Sequence, residues 1–312
     1  MSGPVGAVDI EGPAGDAPVG PILEITDSRL AQVGEIMVRR ALPRHGRRTI
    51  GAWCFIDHAG PTPLGDGSNV DVAPHPHIGL QTVTWLLSGE IVHRDSLGSE
   101  QIIRPGELNL MTAGHGVLHS EEHTANLDGE LQLLQLWVAQ PEATRDGPPA
   151  FEHHADLPQL ELGAGSVGTL LVGSLGEQSS PARRDTDHVG IDLDLRADTV
   201  IPLQPDYEYG LVVVWGALTM ADSVIEPGHL AYLGTDRDEL ALSPIGPTRA
   251  LLIGGPPFPE TVRMWWNFVA RTEEELEAAY TAWSAADSRF GTVVSTLPRT
   301  EVGPPLWMSP GR

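Results

Sequence analysis

The sequence is poor in the residues that mark several large classes of protein. It contains one cysteine, Cys54, which excludes an internal disulfide framework. Lys and Arg number 19 against 42 Asp and Glu, and the formal charge of −23 argues against a nucleic-acid partner, because phosphate binding draws on clustered basic residues. The acidity also has a simpler interpretation, as a source of solubility. No apolar run reaches the length of a membrane-spanning helix, so we expect no membrane partner.

The two ends of the chain and its cysteine carry little further signal. Residues 1–21 are rich in Gly, Pro, Ala and Asp and lack the basic start and apolar run of a signal peptide. We therefore expect a disordered leader and a cytoplasmic protein. Cys54 lies between Trp53 and Phe55, a setting that favours a small core residue over a reactive thiol.

Glycine and proline, in contrast, are abundant. The 312 residues include 35 Gly and 27 Pro, with few long helical patterns, a balance that favours β structure rich in turns. A hydrophobic content of 41% suffices for the core of one large or two modest domains. Segments 35–42, 80–87 and 131–138 predict strands, and short strands separated by glycine turns indicate a sandwich or small barrel.

Four polar side chains have a spacing that an ordinary core or surface does not explain. His75 and His77 precede a buried strand at 80–87, and His119 and Glu121 come some forty residues later. Alternate residues of a strand share a face, so each pair would project together. If the two strands face each other, three imidazoles and a carboxylate converge, a donor set suited to a divalent transition metal. The alternative is that both pairs are solvated strand positions.

The same residues belong to two longer motifs. His-Pro-His-Ile-Gly at 75–79 and Thr-Ala-Gly-His-Gly-Val-Leu-His-Ser-Glu at 112–121 resemble, in order and spacing, the motifs of the pirin family. Segments 131–138 and 265–268 are also similar to pirins, and the resemblance covers roughly 22–290. It implies an all-β fold of two cupin-type barrels, also called double-stranded β-helices or jelly rolls, with a short C-terminal helix.

The second half of the chain echoes the first. Segment 74–80 corresponds to 205–211, and 103–108 corresponds to 225–230, which indicates duplicated units. In this alignment Asp206 and Glu208 replace the two histidines. Carboxylates alone could hold a hard cation, but the simpler interpretation is a degenerate barrel kept for structure.

These observations predict a division of the chain. We expect four parts: a disordered leader at 1–21, an N-terminal cupin barrel with the metal site at 22–145, a degenerate second cupin barrel plus C-terminal helix at 146–290, and a tail at 291–312. Leu276, Tyr280 and Trp283 recur at helical spacing after Thr272, a suitable N-cap. We expect this helix to pack on the first barrel.

Five further polar residues near the motifs are not expected to be metal ligands. Asp57 and His58 end a predicted strand near the site, where satisfied loop residues are the default. His115, in a glycine loop, is a candidate pocket group and not a ligand. His93 is interpreted as solvated, and His123 as too far along its strand to reach the site.

The resemblance also implies a function. It assigns the metal to His75, His77, His119 and Glu121, with Fe(II) expected first and Ni, Mn, Cu, Co or Zn accepting the same donors. It further implies a quercetin 2,3-dioxygenase that cleaves quercetin or a related flavonol or enolic aromatic with O2, releasing carbon monoxide. Glu121 would then also be the catalytic base that takes the 3-hydroxyl proton. The alternative is a non-catalytic, iron-binding, redox-sensing regulator that binds a partner protein.

Overall fold

The computed structural model describes residues 20–65, 70–125 and 128–308. Most of the predicted leader, and residues 309–312 of the predicted tail, lie outside these ranges. Pro21, the last residue of the predicted leader, already begins a strand.

The regular secondary structure of the described residues is almost entirely β-strand, as the turn-rich composition predicts. In chain order the strands are β1 (Pro21–Asp27), β2 (Arg29–Val33), β3 (Ile36–Leu42), β4 (Trp53–Pro63), β5 (Val72–His77), β6 (Leu80–Ser88), β7 (Ile91–Asp95), β8 (Glu100–Ile103), β9 (Leu108–Thr112), β10 (Val117–His123), β11 (Glu130–Ala139), β12 (Ala150–His154), β13 (Gln159–Glu161), β14 (Val167–Val172), β15 (Ser174–Leu175), β16 (Gln178–Ser179), β17 (Val189–Leu195), β18 (Thr199–Pro202), β19 (Glu208–Trp215), β20 (Leu218–Met220), β21 (Ser223–Ile225), β22 (His229–Gly234), β23 (Glu239–Pro244), β24 (Thr248–Gly255), β25 (Arg263–Trp265) and β26 (Phe268–Ala270). The helices of the described residues are α1 (Glu273–Ser284) and two 3₁₀ turns, Ser288–Phe290 and Leu306–Met308.

Four sheets form two barrels of the same design. In the first barrel a seven-stranded sheet, ordered β12-β9-β6-β11-β4-β3-β2, packs against a four-stranded sheet, β5-β10-β7-β8. In the second barrel the orders are β1-β22-β19-β24-β17-β14-β13 and β18-β23-β20-β21. Every strand of one barrel has a counterpart in the other, so the predicted all-β fold of two barrels is confirmed.

Each barrel takes an edge strand from beyond its own stretch of chain. β12 follows the predicted boundary at 145/146 yet pairs with β9 of the first barrel. β1 precedes the first barrel yet pairs with β22 of the second. The predicted division remains a prediction, and β1 and β12 pair across its boundary, because the open edge of each sheet is covered by a segment from the other side.

The seven-stranded sheets pack on each other through their outer faces. Val83 and Trp85 of β6 enter this shared core, whereas Leu86 points into the first barrel. Trp85 Nε1 also donates to Asp192 Oδ2 of β17, at 3.0 Å. β6 is thus covered on both faces, which explains its nearly continuous run of buried residues.

The Pro-Gly segments of the internal repeat form equivalent turns. Segment 103–108 links β8 to β9, and 225–230 links β21 to β22. Gly106 and Gly228 have φ of +84° and +98°, a region that glycine enters without strain. The repeat therefore marks a real structural correspondence at this turn.

The C-terminal helix packs on the first barrel, as its spacing predicts. Leu276 and Trp283 of α1 share an apolar cluster with Ile78 and Leu118 of the first barrel. The helix begins at Thr272, whose side chain accepts a hydrogen bond from the backbone N–H of residue 275. Residues from the end of the chain therefore cover the first barrel beside β5 and β10.

Cys54 is a core residue, as predicted. Its side chain is buried, and burial raises the pKa of the thiol to about 12. Among the helices of the described residues, none has the length and apolarity needed to cross a bilayer.

Candidate metal centre

Three histidines from two neighbouring strands meet inside the first barrel. His75 and His77 lie on β5 and His119 on β10, and the antiparallel register sets His119 opposite His75. Each side chain offers one nitrogen, and all three nitrogens lie within 4.8 Å of one another. The structure thus brings together the three histidines that the strand spacing singles out, although their role as ligands remains a prediction.

The hydrogen bonds of these rings leave nitrogen lone pairs facing inward. His75 Nδ1 donates to the carbonyl of Ala73 at 2.9 Å, and His77 Nδ1 donates to the carbonyl of Asn267 at 3.0 Å. A neutral ring that donates from Nδ1 has a lone pair on Nε2. His77 Nε2 lies 3.0 Å from His119 Nε2. The buried Nε2 of His75 has no hydrogen-bond partner among the described residues.

Burial keeps the three imidazoles uncharged. Each is about 1% exposed. Loss of solvation lowers the pKa of His75 to about 4, against an opposing effect of the nearby Glu121 carboxylate. Desolvation also lowers the pKa of His77 and of His119 well below the ordinary value. Neutral imidazoles with unshared electron pairs around one point fit a divalent cation, which would relieve the repulsion between them.

Glu121 lies two residues after His119 on β10 and outside the group of nitrogens within 4.8 Å of one another. It is 3% exposed. The register shift in the pairing of β10 with β5 comes from one extra residue on β5, and β10 pairs with β7 without a shift, so His119 and Glu121 keep the alternation that the sequence suggests. The place of Glu121 in the metal site remains a prediction.

A short row of polar side chains runs from Glu121 into the barrel. Thr84 Oγ1 lies 3.4 Å from Glu121 Oε1 and 3.0 Å from Gln135 Oε1. Gln135 Nε2 is buried without a partner among the described residues. Turning this amide by 180° lets its N–H donate to Thr84, which frees the hydroxyl to donate to Glu121. The row then orients the carboxylate.

His93 and Asp95 of β7 also belong to the centre, and the prediction that His93 is solvated was wrong. His93 is 3% exposed, with its Nδ1 3.3 Å from His119 Nδ1 and its Nε2 3.1 Å from Asp95 Oδ2. Its ring stacks on Phe151 of β12 at 4.4 Å. The spacing of His93 and Asp95, one residue apart on a strand, was the available signal.

Two candidates near the site have structural partners instead. Asp57 is fully buried and accepts two hydrogen bonds from Arg40, at 2.8 and 2.7 Å. His58 Nε2 lies 2.8 Å from the side-chain nitrogen of Gln132, and burial lowers the pKa of His58 to about 4. Both residues therefore have hydrogen-bond partners within the sheet, although His58 Nδ1 is buried without one among the described residues.

The two remaining candidate histidines, His115 and His123, lie at the surface. His115 is exposed and donates from Nδ1 to the carbonyl of Gly147, at 2.9 Å, so the structure does not place it in a pocket. His123 is also exposed, and its Nδ1 lies 2.7 Å from Asp71. The structure brings neither of them to the triad of His75, His77 and His119.

The second barrel places apolar side chains where the first has its histidines. β18 and β23 correspond to β5 and β10, and they contribute Ile201, Leu240 and Leu242 to a buried core. The sequence alignment instead assigned Asp206 and Glu208 to the histidine positions, which was wrong, because these residues lie in the turn before β19 and at its first residue. The turn between β18 and β19 is longer than the turn between β5 and β6, and the alignment of the two repeat segments did not allow for this difference.

The two carboxylates of the second barrel have other environments. Asp206 is exposed. Glu208 is buried and accepts hydrogen bonds from the backbone N–H of Gly51, at 2.6 Å, and from the hydroxyl of Tyr232, at 2.7 Å. Glu208 therefore links the two halves of the chain.

Across the described residues, the triad of the first barrel is the sole group of three potential ligands whose donor atoms all lie within 4.8 Å of one another.

Comparisons with known proteins agree with this architecture. The family model for pirin matches residues 35–138, and the model for the pirin C-terminal cupin domain matches residues 188–291. A Pseudomonas aeruginosa protein named "Putative quercetin 2,3-dioxygenase" is 44% identical over 92% of this chain and 91% of its own length.

Two solved structures show the same fold. The crystal structure of a quercetin 2,3-dioxygenase from Acinetobacter baumannii is 41% identical, with a TM-score of 0.85 over 90% of this chain and 96% of that one. A bacterial pirin from Escherichia coli in complex with nickel(II) is 18% identical, with a TM-score of 0.62 over 76% of this chain and 100% of that one, a likeness of fold alone. With both barrels matched and its two motifs in place, the chain belongs to the pirin family.

Proposed function

We propose that this protein is a metal-dependent dioxygenase that opens the heterocyclic ring of quercetin or of a related flavonol or enolic aromatic. The observation that carries the proposal is the convergence of three buried imidazole nitrogens beside a buried carboxylate, Glu121. The names of the similar Pseudomonas and Acinetobacter proteins support the substrate class. Both atoms of O2 would enter the product, and the excised ring carbon would leave as carbon monoxide.

His75, His77 and His119 would hold the metal through Nε2, with Glu121 as a fourth donor. The set suits Fe(II), and Ni, Mn, Cu, Co or Zn accept the same ligands. A bound divalent ion would supply Lewis acidity and, for a redox-active metal, electron transfer between substrate and oxygen. Nickel in the E. coli pirin supports a divalent transition metal in this fold.

Glu121 has the surroundings of a general base. Its carboxylate accepts a proton from the flavonol 3-hydroxyl, while Thr84 steadies one of its oxygens from 3.4 Å. Trp137 meets His77 edge-on at 5.2 Å and stacks on Phe55 at 4.0 Å. These aromatic rings place apolar surface against His77 on that side of the triad, where electrostatic interactions are screened less than in water.

The decisive test measures gas exchange. Protein reconstituted with Fe(II) and given quercetin should consume O2 and release carbon monoxide in equal amounts. Glu121→Gln should retain the fold and lower kcat by roughly 10²-fold or more, as expected for loss of a general base.

His115→Phe is a suitable control, because His115 is exposed and hydrogen-bonded to a loop carbonyl. Fully metal-loaded protein that shows no turnover of quercetin or related flavonols with any of several metals would refute the proposal. That result would favour the metal-dependent regulator.

A further inference from the structure

We propose that His93, held by Asp95, is a positioning residue that fixes the tautomer and orientation of His119, so that His119 presents Nε2 to the metal. This inference rests on the proposed metal-binding role of the triad, but it concerns residues that neither the sequence motifs nor the comparisons assign. Its basis is the direction of two consecutive hydrogen bonds.

Asp95 determines the direction of both hydrogen bonds. Its Oδ1 accepts the backbone N–H groups of Leu97, at 2.9 Å, and Ser99, at 3.0 Å, which pins the carboxylate in the turn after β7. Its Oδ2 lies 3.1 Å from His93 Nε2. A carboxylate oxygen accepts and does not donate, so His93 Nε2 carries the hydrogen.

The hydrogen on His93 Nε2 also determines which nitrogen of His119 carries a hydrogen. With its hydrogen on Nε2, neutral His93 has a lone pair on Nδ1. This atom lies 3.3 Å from His119 Nδ1, so a hydrogen bond requires His119 to donate. The hydrogen of His119 is then on Nδ1, and its Nε2 is unprotonated and faces His77 Nε2 at 3.0 Å.

His119 differs from the other two histidines in what orients it. His75 and His77 donate to backbone carbonyls, which no side-chain substitution removes. His119 instead depends on the side chain of His93, which is buried and stacked on Phe151 with the two rings 13° from parallel. Of the three, His119 is therefore the ring whose tautomer a point mutation can change.

Asp95→Asn tests the direction directly. The two backbone N–H groups require an acceptor, so they hold Oδ1 in place and turn the new NH2 group toward His93. His93 must then accept at Nε2 and donate from Nδ1, which forces His119 to carry its hydrogen on Nε2.

Nitrogen-15 NMR of the metal-free protein reads this tautomer. We expect His119 to be protonated on Nδ1 in the wild type and on Nε2 in Asp95→Asn. An unchanged His119 tautomer in the variant would overturn the proposal, and so would a wild-type His119 already protonated on Nε2. Because no metal is present, failure here is distinct from failure of the proposed dioxygenase activity, which the gas-exchange assay measures.

A pair of substitutions at His93 separates positioning from packing. His93→Phe keeps a ring against Phe151 but removes the acceptor, whereas His93→Asn loses the ring and keeps an oxygen near the position of Nδ1. Measured by chelator competition with Co(II), His93→Phe should bind about 10- to 100-fold more weakly than wild type, the usual effect of losing a group that orients a metal ligand. His93→Asn should recover most of the affinity.

His123→Phe, an exposed change on the same strand as His119, is the matched control and should bind Co(II) like the wild type. Wild-type affinity in His93→Phe would overturn the proposal. So would equal losses in both His93 variants, because packing alone would then explain them.

Discussion

The two barrels have matching strand orders, but one pair of corresponding strands carries polar side chains in the first barrel and apolar side chains in the second. In the first barrel, β5 and β10 direct His75, His77 and His119 toward a common point. In the second, the corresponding strands β18 and β23 contribute Ile201 and Leu242 to a closed apolar core. The scaffold therefore does not dictate the chemistry, which depends on a few side chains of two facing strands.

The comparison also shows what a polar centre requires around it. In the second barrel, the side chains of the apolar core are mostly aliphatic and need no hydrogen-bond partners. In the first barrel, each imidazole needs a hydrogen-bond acceptor for its Nδ1, and those acceptors come from β5 itself, from Asn267 after β25, and from His93 on β7. The first barrel can hold its site because distant segments of the chain supply these acceptors.

The largest contrast should appear when a buried histidine is removed from each half. His75→Ala or His119→Ala should abolish metal retention while largely preserving the fold, because each removes one of three convergent nitrogens. His188→Ala, at a buried histidine that meets Trp53 edge-on, should keep the metal. Elemental analysis of the purified variants, with circular dichroism for the fold, checks this. Full metal occupancy in either triad variant would show that the triad is not the metal site.

A cavity in the second barrel should have the reverse effect. Leu242 is 1% exposed, and Leu242→Ala should lower the free energy of unfolding by about 2–5 kcal/mol without changing metal stoichiometry. Urea denaturation and metal analysis test the two halves of this prediction. Val224→Ala, at an exposed position of β21, is the control and should change little. Loss of metal in Leu242→Ala would show that the second barrel does more than support the fold.

Acid should weaken both barrels when no metal is bound. Burial lowers the pKa of His75 and of His188 to about 4, from 6.5. Below 6.5 the unfolded chain binds protons that the folded chain refuses, so stability is full above that pH and falls as the pH drops toward 4.

Each such histidine accounts for at most about 3 kcal/mol of this loss, at 1.36 kcal/mol per pKa unit. Urea midpoints measured from pH 8 to pH 4 should therefore decline, and the decline should be smaller in His188→Asn. A midpoint that stays constant across this range would contradict the prediction. Bound metal should delay the decline, because protons must compete with it for the triad.

The smallest effect is expected at the polar row of the first barrel. Thr84→Val keeps the shape of the side chain but leaves the Glu121 carboxylate and the side-chain amide of Gln135 without its hydroxyl. We expect a loss of about 1–3 kcal/mol in stability, retained metal, and a lower kcat. Thr82→Val, two residues earlier on β6, is the matched control for the size change. Unchanged stability and kcat in Thr84→Val would show that the hydroxyl does not orient Glu121.

Much of this could be predicted from local sequence pattern. The turn-rich composition and short alternating runs predicted the all-β fold, and the spacing of His75, His77 and His119 predicted that they would meet. Both inferences depend on the alternation of side chains along a strand, which needs no knowledge of distant contacts.

The failures involve features that a local sequence pattern does not carry. His93 looked solvated because the ring that covers it, Phe151, arrives on β12 after the predicted boundary. Asp206 and Glu208 were matched to the histidines because the sequence alignment could not show a longer turn before β19.

The crossed edge strands make the two halves interdependent. β1 completes a sheet whose other members begin more than a hundred residues later, and β12 brings Phe151 to a ring that touches the centre of the first barrel. A protease cut or gene truncation between residues 139 and 150 would therefore not release an intact first barrel, because each fragment would expose an unpaired edge. The second barrel is thus part of what keeps the first one folded.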